Sequence, residues 1–388
     1  MTSTLGIKKI QYPNGTNSIT IDSSGSAAIT TANITTANIT NATATGTINT
    51  PSINGSQIGG RRNVIINGGM QVAQRGTSST GLGAANGYFT VDRIRHVFSG
   101  TAGRLTSTQS TDAPSGFGNS LKFECTTADT SIASGEYLML QYKIEGQDLQ
   151  QFAKGTSDAK EFHISFYVKG NAAATYVLEL YDNDNNRQCS KSFSVTSSWS
   201  RVLLTFPADT TGAFDNDNAV SLSLTFWLHA GTDFTSGTLN SSAFAANSNS
   251  SRALSTTSFF DSTARTFFIT GLQLEVGSHT VFEHRSFGEE LDLCHRYYEK
   301  TASWGYILGG RYNQDTGVPT ATWFYKKVMR TSPSVSNTGT WTTGGGWGGA
   351  PLPIAITNSH VAVYSSTHVS ASNNIWFNGG QLILDAEL

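Results

Sequence analysis

The stretch Phe162–Lys169 places Phe162, Ile164, Phe166 and Val168 in strict alternation with His163, Ser165, Tyr167 and Lys169. Val220–Leu228 repeats the pattern with Val220, Leu222, Leu224, Phe226 and Leu228. A period of two puts successive side chains on opposite faces of a strand, one face apolar and one wet. Tyr176–Tyr181, Arg201–Phe206 and Phe267–Val276 read similarly, and Asn63–Ile66 with Met70–Gln74 reads as a strand turned at Gly68-Gly69. Such runs, separated by turn residues and without long helical patterns between them, predict an antiparallel β-sandwich. The span of this series, with its long loops, points to a jelly roll.

Composition agrees with a mainly β chain. Hydrophobic residues make up only 38% and charged residues 13% of the 388. Thr, Ser, Asn and Gly fill the deficit rather than charge, whereas disordered chains are commonly charge-rich. A net charge of −2 and the absence of a basic stripe remove the electrostatic basis for nucleic-acid binding. No run approaches the ~20 apolar residues of a membrane span, so no membrane insertion is expected. Cys125, Cys189 and Cys294 are far apart, without a CxxC, and read as free thiols of a chain made in a reducing compartment.

Residues 23–60 carry no charge and repeat apolar residues every five positions: Ile29, Ile34, Ile39, then Ile48, Ile53 and Ile58 after a slip of one residue at Gly46. That period fits neither a helix nor a flat strand. A pentapeptide-type β-helix, a flexible linker and a shaft wound from three chains all accommodate it. The shaft is favoured, because one chain's row of isoleucines buries too little apolar surface to offset its ordering.

Ser286-x-x-Glu289 forms a capping box, followed by Phe287, Leu291, Cys294 and Tyr298 at helical spacing. A helix over 286–300 is therefore expected, connecting the sandwich of 61–300 to a small distal β domain of 301–388. Eight of the eighteen residues from Glu283 to Lys300 are charged. They read as a solvated helix face rather than as catalytic carboxylates. In the distal domain Gly305–Tyr312, Thr320–Lys327, His360–Tyr364 and Ile375–Leu384 read as strands, and 339–353 as an irregular Gly/Pro loop.

Chemistry-bearing motifs are sparse. There is no GxSxG, SxxK, Walker or dinucleotide fingerprint, and no HExxH or Cys/His zinc spacing. Asp182, Asp184 and Asn186 match the opening ligands of a calcium loop, but Arg187 stands where that loop needs Gly. A turn between strands explains this cluster and Asp215–Asn218 better. No catalytic residue, metal or cofactor is expected, and the chain reads as a non-enzyme.

Five of the seven tryptophans, Trp304, Trp323, Trp341, Trp347 and Trp376, fall in the distal segment. A half-exposed indole offers a flat face to the C–H side of a sugar ring. Trp323 reads as core or interface. Trp341 and Trp347, flanked by Gly and Thr, are the leading ligand candidates, with Trp304 beside them.

Several stretches together resemble one family. NVIINGGMQVAQRGTS (63–78) and YFTVDRI (88–94) resemble the opening of a family of tailed-bacteriophage and prophage virion proteins. GLQLEVGSHTVFEHRSFGEELDLCHRYYEK (271–300), KKVMRTSPSV (326–335) and the terminal DAEL (385–388) resemble its later segments. The resemblance implies a tail fibre or related appendage, homotrimeric, with a carbohydrate-binding-like jelly roll. It implies that residues 1–22 attach to tail adaptor or nozzle proteins and that the partner outside is host polysaccharide or lipopolysaccharide. The virion is the implied location. It supplies no catalytic residues. A polysaccharide-degrading tailspike and a purely structural connector or head fibre are the alternatives.

Overall fold

The structure, a computed structural model, describes residues 61–301, 321–342, 349–364 and 377–388 with their side chains, and several other strands by backbone pairing alone. Residues 1–50 group apart from 51–388. In the first group Ser18–Ile21 pairs antiparallel with Lys9–Gln11 and Ala27–Ala28. Apart from such pairings, the attachment segment (1–22) and the shaft (23–60) lie outside the described residues.

The alternating runs form the expected sandwich. Its strands are β1 (Ser78–Leu82), β2 (Gly87–Tyr88), β3 (Arg95–Ser99), β4 (Arg104–Ser110), β5 (Ser120–Thr127), β6 (Tyr137–Glu145) and β7 (Phe162–Gly170). There follow β8 (Ala174–Asp182), β9 (Arg187–Val195), β10 (Ser200–Phe206), β11 (Val220–Ala230), β12 (Ala245–Ala246) and β13 (Thr266–Val276). One sheet runs β10-β7-β13-β5-β4-β1 and the other β12-β9-β8-β11-β6-β3-β2. The inner quartets β5-β13-β7-β10 and β6-β11-β8-β9 are the two four-stranded halves of a jelly roll, and their pairings are antiparallel. Alternation sets the layers: Phe162, Ile164, Phe166 and Val168 of β7 meet Leu222, Leu224, Phe226 and Leu228 of β11 in the core, each at most 2% exposed.

Several expectations need correction. Asn63–Gln74 forms no strand. Its backbone is held by asparagine side chains instead: Asn63 Oδ1 accepts the N–H groups of Ile65 and Leu274, and Asn67 Oδ1 accepts that of Val72. Asn67 itself adopts φ 59°, a left-handed conformation asparagine tolerates. The four-turn helix is also shorter than expected. Helix α1 covers Phe287–Cys294, with Ser286 Oγ accepting the Glu289 N–H as its cap. The chain then turns, and β14 (Tyr298–Lys300) joins a three-stranded sheet with β15 (Ser334–Thr338) and β16 (Gln381–Asp385) in the order β14-β16-β15. Of the proposed stripe, Phe287 is exposed, Leu291 half-buried, and only Cys294 and Tyr298 buried.

The charges around α1 are largely internal rather than solvated. Buried Glu290 accepts the Asn67 N–H at 2.5 Å and pairs with Arg285 at 3.3 Å. Arg296 makes a bidentate pair with buried Glu145 at 2.6 and 2.9 Å. Glu299, fully buried, accepts the Lys326 N–H and the Trp323 indole N–H. Arg75 lies 3.6 Å over the Tyr298 ring and Arg93 3.4 Å over Tyr297, and both arginines pair with Glu387. Residues from the stretches that carry the family resemblance, 63–78, 88–94, 271–300, 326–335 and 385–388, therefore meet in one polar joint.

The distal segment has its own small core of Ala321, Tyr325, Met329, Val361, Val363, Phe377, Leu382 and Leu384. A six-stranded sheet there runs Thr342–Gly344, Ile375–Asn378, Ile307–Tyr312, Pro319–Phe324, His360–Tyr364, Leu352–Ile356. The 339–353 stretch thus contains strand residues, against the reading of an irregular loop. The expected strand over 375–384 is two strands broken at Gly379, whose φ is 92°.

Candidate functional site

Of the sequence-derived tryptophan candidates, Trp341 alone is among the residues described with side chains. Trp304, and the side chain of Trp347, lie outside the described residues. Trp341 is half-buried, its ring 6.1 Å from that of Phe377, and a Cβ on Gly380 would stand 2.1 Å from its Cε2. It packs on the distal core. Trp323 is half-buried against the same core, as expected. The Asp182 cluster is the β8–β9 hairpin turn: the Asp182 carboxylate accepts the N–H groups of Asp184 and Asn185 and pairs with buried Lys154 at 2.6 Å.

The two outer faces of the sandwich differ in cover. On the seven-stranded sheet, the segment 231–257 lies across the strands. Its Phe234 and Ala253 bury Trp227, Val97, Met139 and Val177, and Trp227 is fully inaccessible. Glu179, also fully buried, accepts the Trp227 indole N–H at 3.0 Å and a bidentate pair from Arg252 at 2.7 and 2.8 Å.

The six-stranded sheet instead carries a band of aromatic rings on its outer face, outside the core between the sheets. Phe268 is placed there by arithmetic: Phe267 points inward, so its neighbour must point out. Trp199, in the turn before β10, packs edge-on to Phe268 at 6.0 Å. Lys169 Nζ lies 4.9 Å from the Phe268 centroid and 5.5 Å from that of Trp199. Asp112 holds both neighbours, accepting the Trp199 indole N–H at 3.0 Å and pairing with Lys169. The hydrogen bond from Lys169, then that from Trp199, holds the Asp112 carboxyl below the usual range.

Along β7 the band continues through Tyr167 to Phe117 at 5.3 Å, and from Phe117 to Phe282 at 4.9 Å and His284 at 5.1 Å. A β-bulge makes room for these rings. The register of β7 against β13 shifts between Ser165 and Tyr167, and opposite it Gly271 has φ 64°. A Cβ on Gly271 would stand 2.8 Å from Phe117 Cζ and 2.9 Å from Tyr167 Cδ2. Trp199, Tyr167, Phe117 and Phe282 are each half-buried and His284 is exposed, leaving ring surface to solvent. Arg201, 5.9 Å over Tyr167, Lys122, 5.4 Å from Phe268, and the 51%-exposed Leu203 complete the surface. Flat rings bordered by ammonium, guanidinium and carboxylate groups can stack on the apolar face of a pyranose and hydrogen-bond its hydroxyls.

Sequence reasoning missed this band because its rings come from positions spread over 117–284. The usable signals were the Phe267-Phe268 pair and Tyr167 on the polar phase of β7. A separate cleft of about 580 Å³, lined by Arg61, Glu289, Asp292, Leu293, Arg296, Lys327 and Val328, sits on α1. Its charges are already paired, Arg61 with Glu289 at 2.6 Å and Lys327 with Asp292 at 2.9 Å.

No helix among the described residues is long and apolar enough to cross a membrane. No protein-family model matches the chain, and no curated protein matches it in sequence. Among solved structures, a CBM4 domain is 10% identical with a TM-score of 0.28, over 54% of this chain and 98% of the domain. A family 11 carbohydrate-binding module from Clostridium thermocellum, in complex with a β-1,3-1,4-mixed-linked tetrasaccharide, is 14% identical with a TM-score of 0.25, over 54% and 98%. The enzymatically active domain of bacteriophage CBA120 tailspike protein 4 is 12% identical with a TM-score of 0.28, over 56% of this chain and 22% of that one. At these values no ligand or activity transfers from any of them.

Proposed function

We propose that this chain is a non-enzymatic virion appendage of the tail-fibre type that attaches to host-surface glycan through the outer face of its six-stranded sheet. The observation that carries the reading is the band of half-buried Trp199, Tyr167, Phe117 and Phe282 rings, seated on the buried Phe268 and edged by Lys169, Asp112, Lys122 and Arg201. The ordered motifs of 63–94, 271–300 and 385–388 support the phage setting, and the isoleucine period of 23–60 supports a homotrimer. In that setting residues 1–22 dock to the tail, and three weak sites at fixed spacing combine into firm adhesion through effective concentration.

The test is binding of the purified full chain to an array of bacterial capsular and lipopolysaccharide glycans, beside a Trp199→Ala/Tyr167→Ala variant. Wild-type binding that the variant loses while keeping its thermal midpoint supports the proposal. Equal binding by both removes the band as the site. Release of reducing sugar from a bound glycan would turn the reading to the depolymerase, and a monomer by light scattering would remove the trimer.

A further inference from the structure

At one end of the sandwich, Asp129 leaves β5, Glu136 enters β6 and His229 nears the end of β11. Each offers a ligand atom, and these atoms all lie within 4.8 Å of one another. Asp129 is 6% exposed, Glu136 9% and His229 fully buried. Among the described residues, neither carboxylate has a lysine or arginine partner. The Asp129 carboxylate accepts Thr101 Oγ1–H and the Ala102 N–H, each at 2.8 Å, and a bond from the Ser131 backbone, while Glu136 Oε2 accepts the Ala133 N–H at 3.0 Å. These donors hold the two carboxylates in place but bring no positive charge to the cluster.

A second, independent observation points at the same spot. His229 Nδ1 lies 2.8 Å from Ser258 Oγ, which fixes the ring, while its Nε2 is buried without any hydrogen-bond partner. That Nε2 faces Glu136 Oε2 at 3.8 Å, too far for a hydrogen bond. In the tautomer that donates Nδ1–H to Ser258, the Nε2 lone pair is directed toward a carboxylate, which is repulsive unless something positive stands between them. A histidine anchored through one ring nitrogen, with the other free, is the usual arrangement of a metal ligand.

We propose that Asp129, Glu136 and His229 form a binding site for one first-row divalent cation, zinc being the best match. One imidazole with two carboxylates favours zinc and its neighbours over magnesium or calcium, which take oxygen sets. Bonds of about 2.1 Å place tetrahedral ligands roughly 3.4 Å apart. The Nε2–Oε2 separation of 3.8 Å needs only a small closure to reach that value. A water fills the fourth position. Burial of all three ligands fits a structural role. Asp129 follows a strand of the six-stranded sheet, while Glu136 immediately precedes β6 and His229 lies in β11 of the seven-stranded one, so the cation pins one sheet to the other.

The experiment uses the full chain, stripped with chelator, exposed to zinc chloride and dialysed. Elemental analysis is expected to find one zinc per chain, with a raised thermal midpoint, and Glu136→Gln is expected to lose both effects. His229→Gln, which cannot ligate as imidazole does, is the second variant. No retained zinc in the wild type, or equal retention in wild type and variants, overturns the proposal. Should the variants not fold, X-ray absorption on the zinc-loaded wild type decides. One nitrogen with oxygens at about 2.0–2.2 Å supports the site, and sulfur or several imidazoles overturns it.

Discussion

Trp227 and Trp199 stand on opposite outer faces of one jelly roll. Trp227 is sealed by Phe234 and Ala253 of the chain's own 231–257 segment, and its indole N–H ends on a buried carboxylate. Trp199 is half-buried, and its indole N–H ends on Asp112, at the solvent edge of the aromatic band. Both faces begin from alternating strands that leave aromatic residues on the outside. One face is converted into a second core, and the other keeps its rings available. Damage to the first is therefore a matter of stability, and damage to the second a matter of recognition.

The largest effect is expected from Arg252→Ala. It leaves Glu179 fully buried with the Trp227 indole as its remaining side-chain donor, and breaking such a pair costs about 3–5 kcal/mol. Chemical denaturation should read that loss, while glycan binding by the folded fraction stays at wild-type affinity. A loss of binding without a loss of stability would break the division between the faces.

Acid tests the same division from between the sheets. His96 is fully buried among the Phe89 and Phe123 rings, and burial lowers its pKa to about 3. The unfolded chain takes up this proton below its ordinary value of about 6.5, whereas the folded chain does not until about 3. The stability His96 contributes is complete above about 6.5 and falls by ~1.4 kcal/mol per unit below it, or about 3 kcal/mol at pH 4.5. Asp92 acts in the opposite sense: burial raises its carboxyl to about 6, so folding gains as pH falls through that value. The readout is therefore the difference between wild type and His96→Gln, whose pH slope between 6.5 and 4.5 should be flatter. If acid abolished binding while the fold stood, a group on the open face would be responsible instead.

Trp199→Ala addresses the open face alone. Aromatic anchors at binding surfaces commonly contribute ~2 kcal/mol or more, so glycan affinity should fall about thirtyfold. Its ring covers only part of Phe268, and the thermal midpoint should move little.

The sequence disclosed the layers of the sandwich but not its functional face, for physical reasons visible in particular residues. Alternation in 162–169 and 220–228 fixes which side chains enter the core, because strand geometry leaves no other assignment. Alternation does not say which outer face will be covered. That depends on where 231–257 lies down, and its Phe234 and Arg252 are separated by irregular chain. The joint was misread for a related reason. Charge in 283–300 resembles a solvated helix until Asn63, Asn67 and Glu145, all distant in sequence, arrive to pair with it, and Arg75 and Arg93 stack on its tyrosines. The capping box at Ser286 was legible because its partner is three residues away. The distal tryptophan enrichment partly reflects packing, since half-buried Trp341 lies against Phe377 of that segment's core.

The smallest expected effect separates a ring that is merely present from one that is held in place. Asp112 is exposed, so its pair with Lys169 should contribute under ~1 kcal/mol to stability. Its second bond, to the Trp199 indole, orients the ring that glycan would meet. Asp112→Asn retains an oxygen able to accept that N–H but drops the charge, whereas Asp112→Ala removes both. If orientation matters, affinity should fall about threefold in the alanine variant and recover most of that in the asparagine variant. If charge matters, the two should fall together. The depressed pKa sets a pH control on the wild type. The ionised form is complete above the ordinary carboxylate value of about 3.8 and is lost only as pH drops through the lower folded value. Binding that declined already between pH 6 and 5, with the chain still folded, would place the decisive proton elsewhere on the open face.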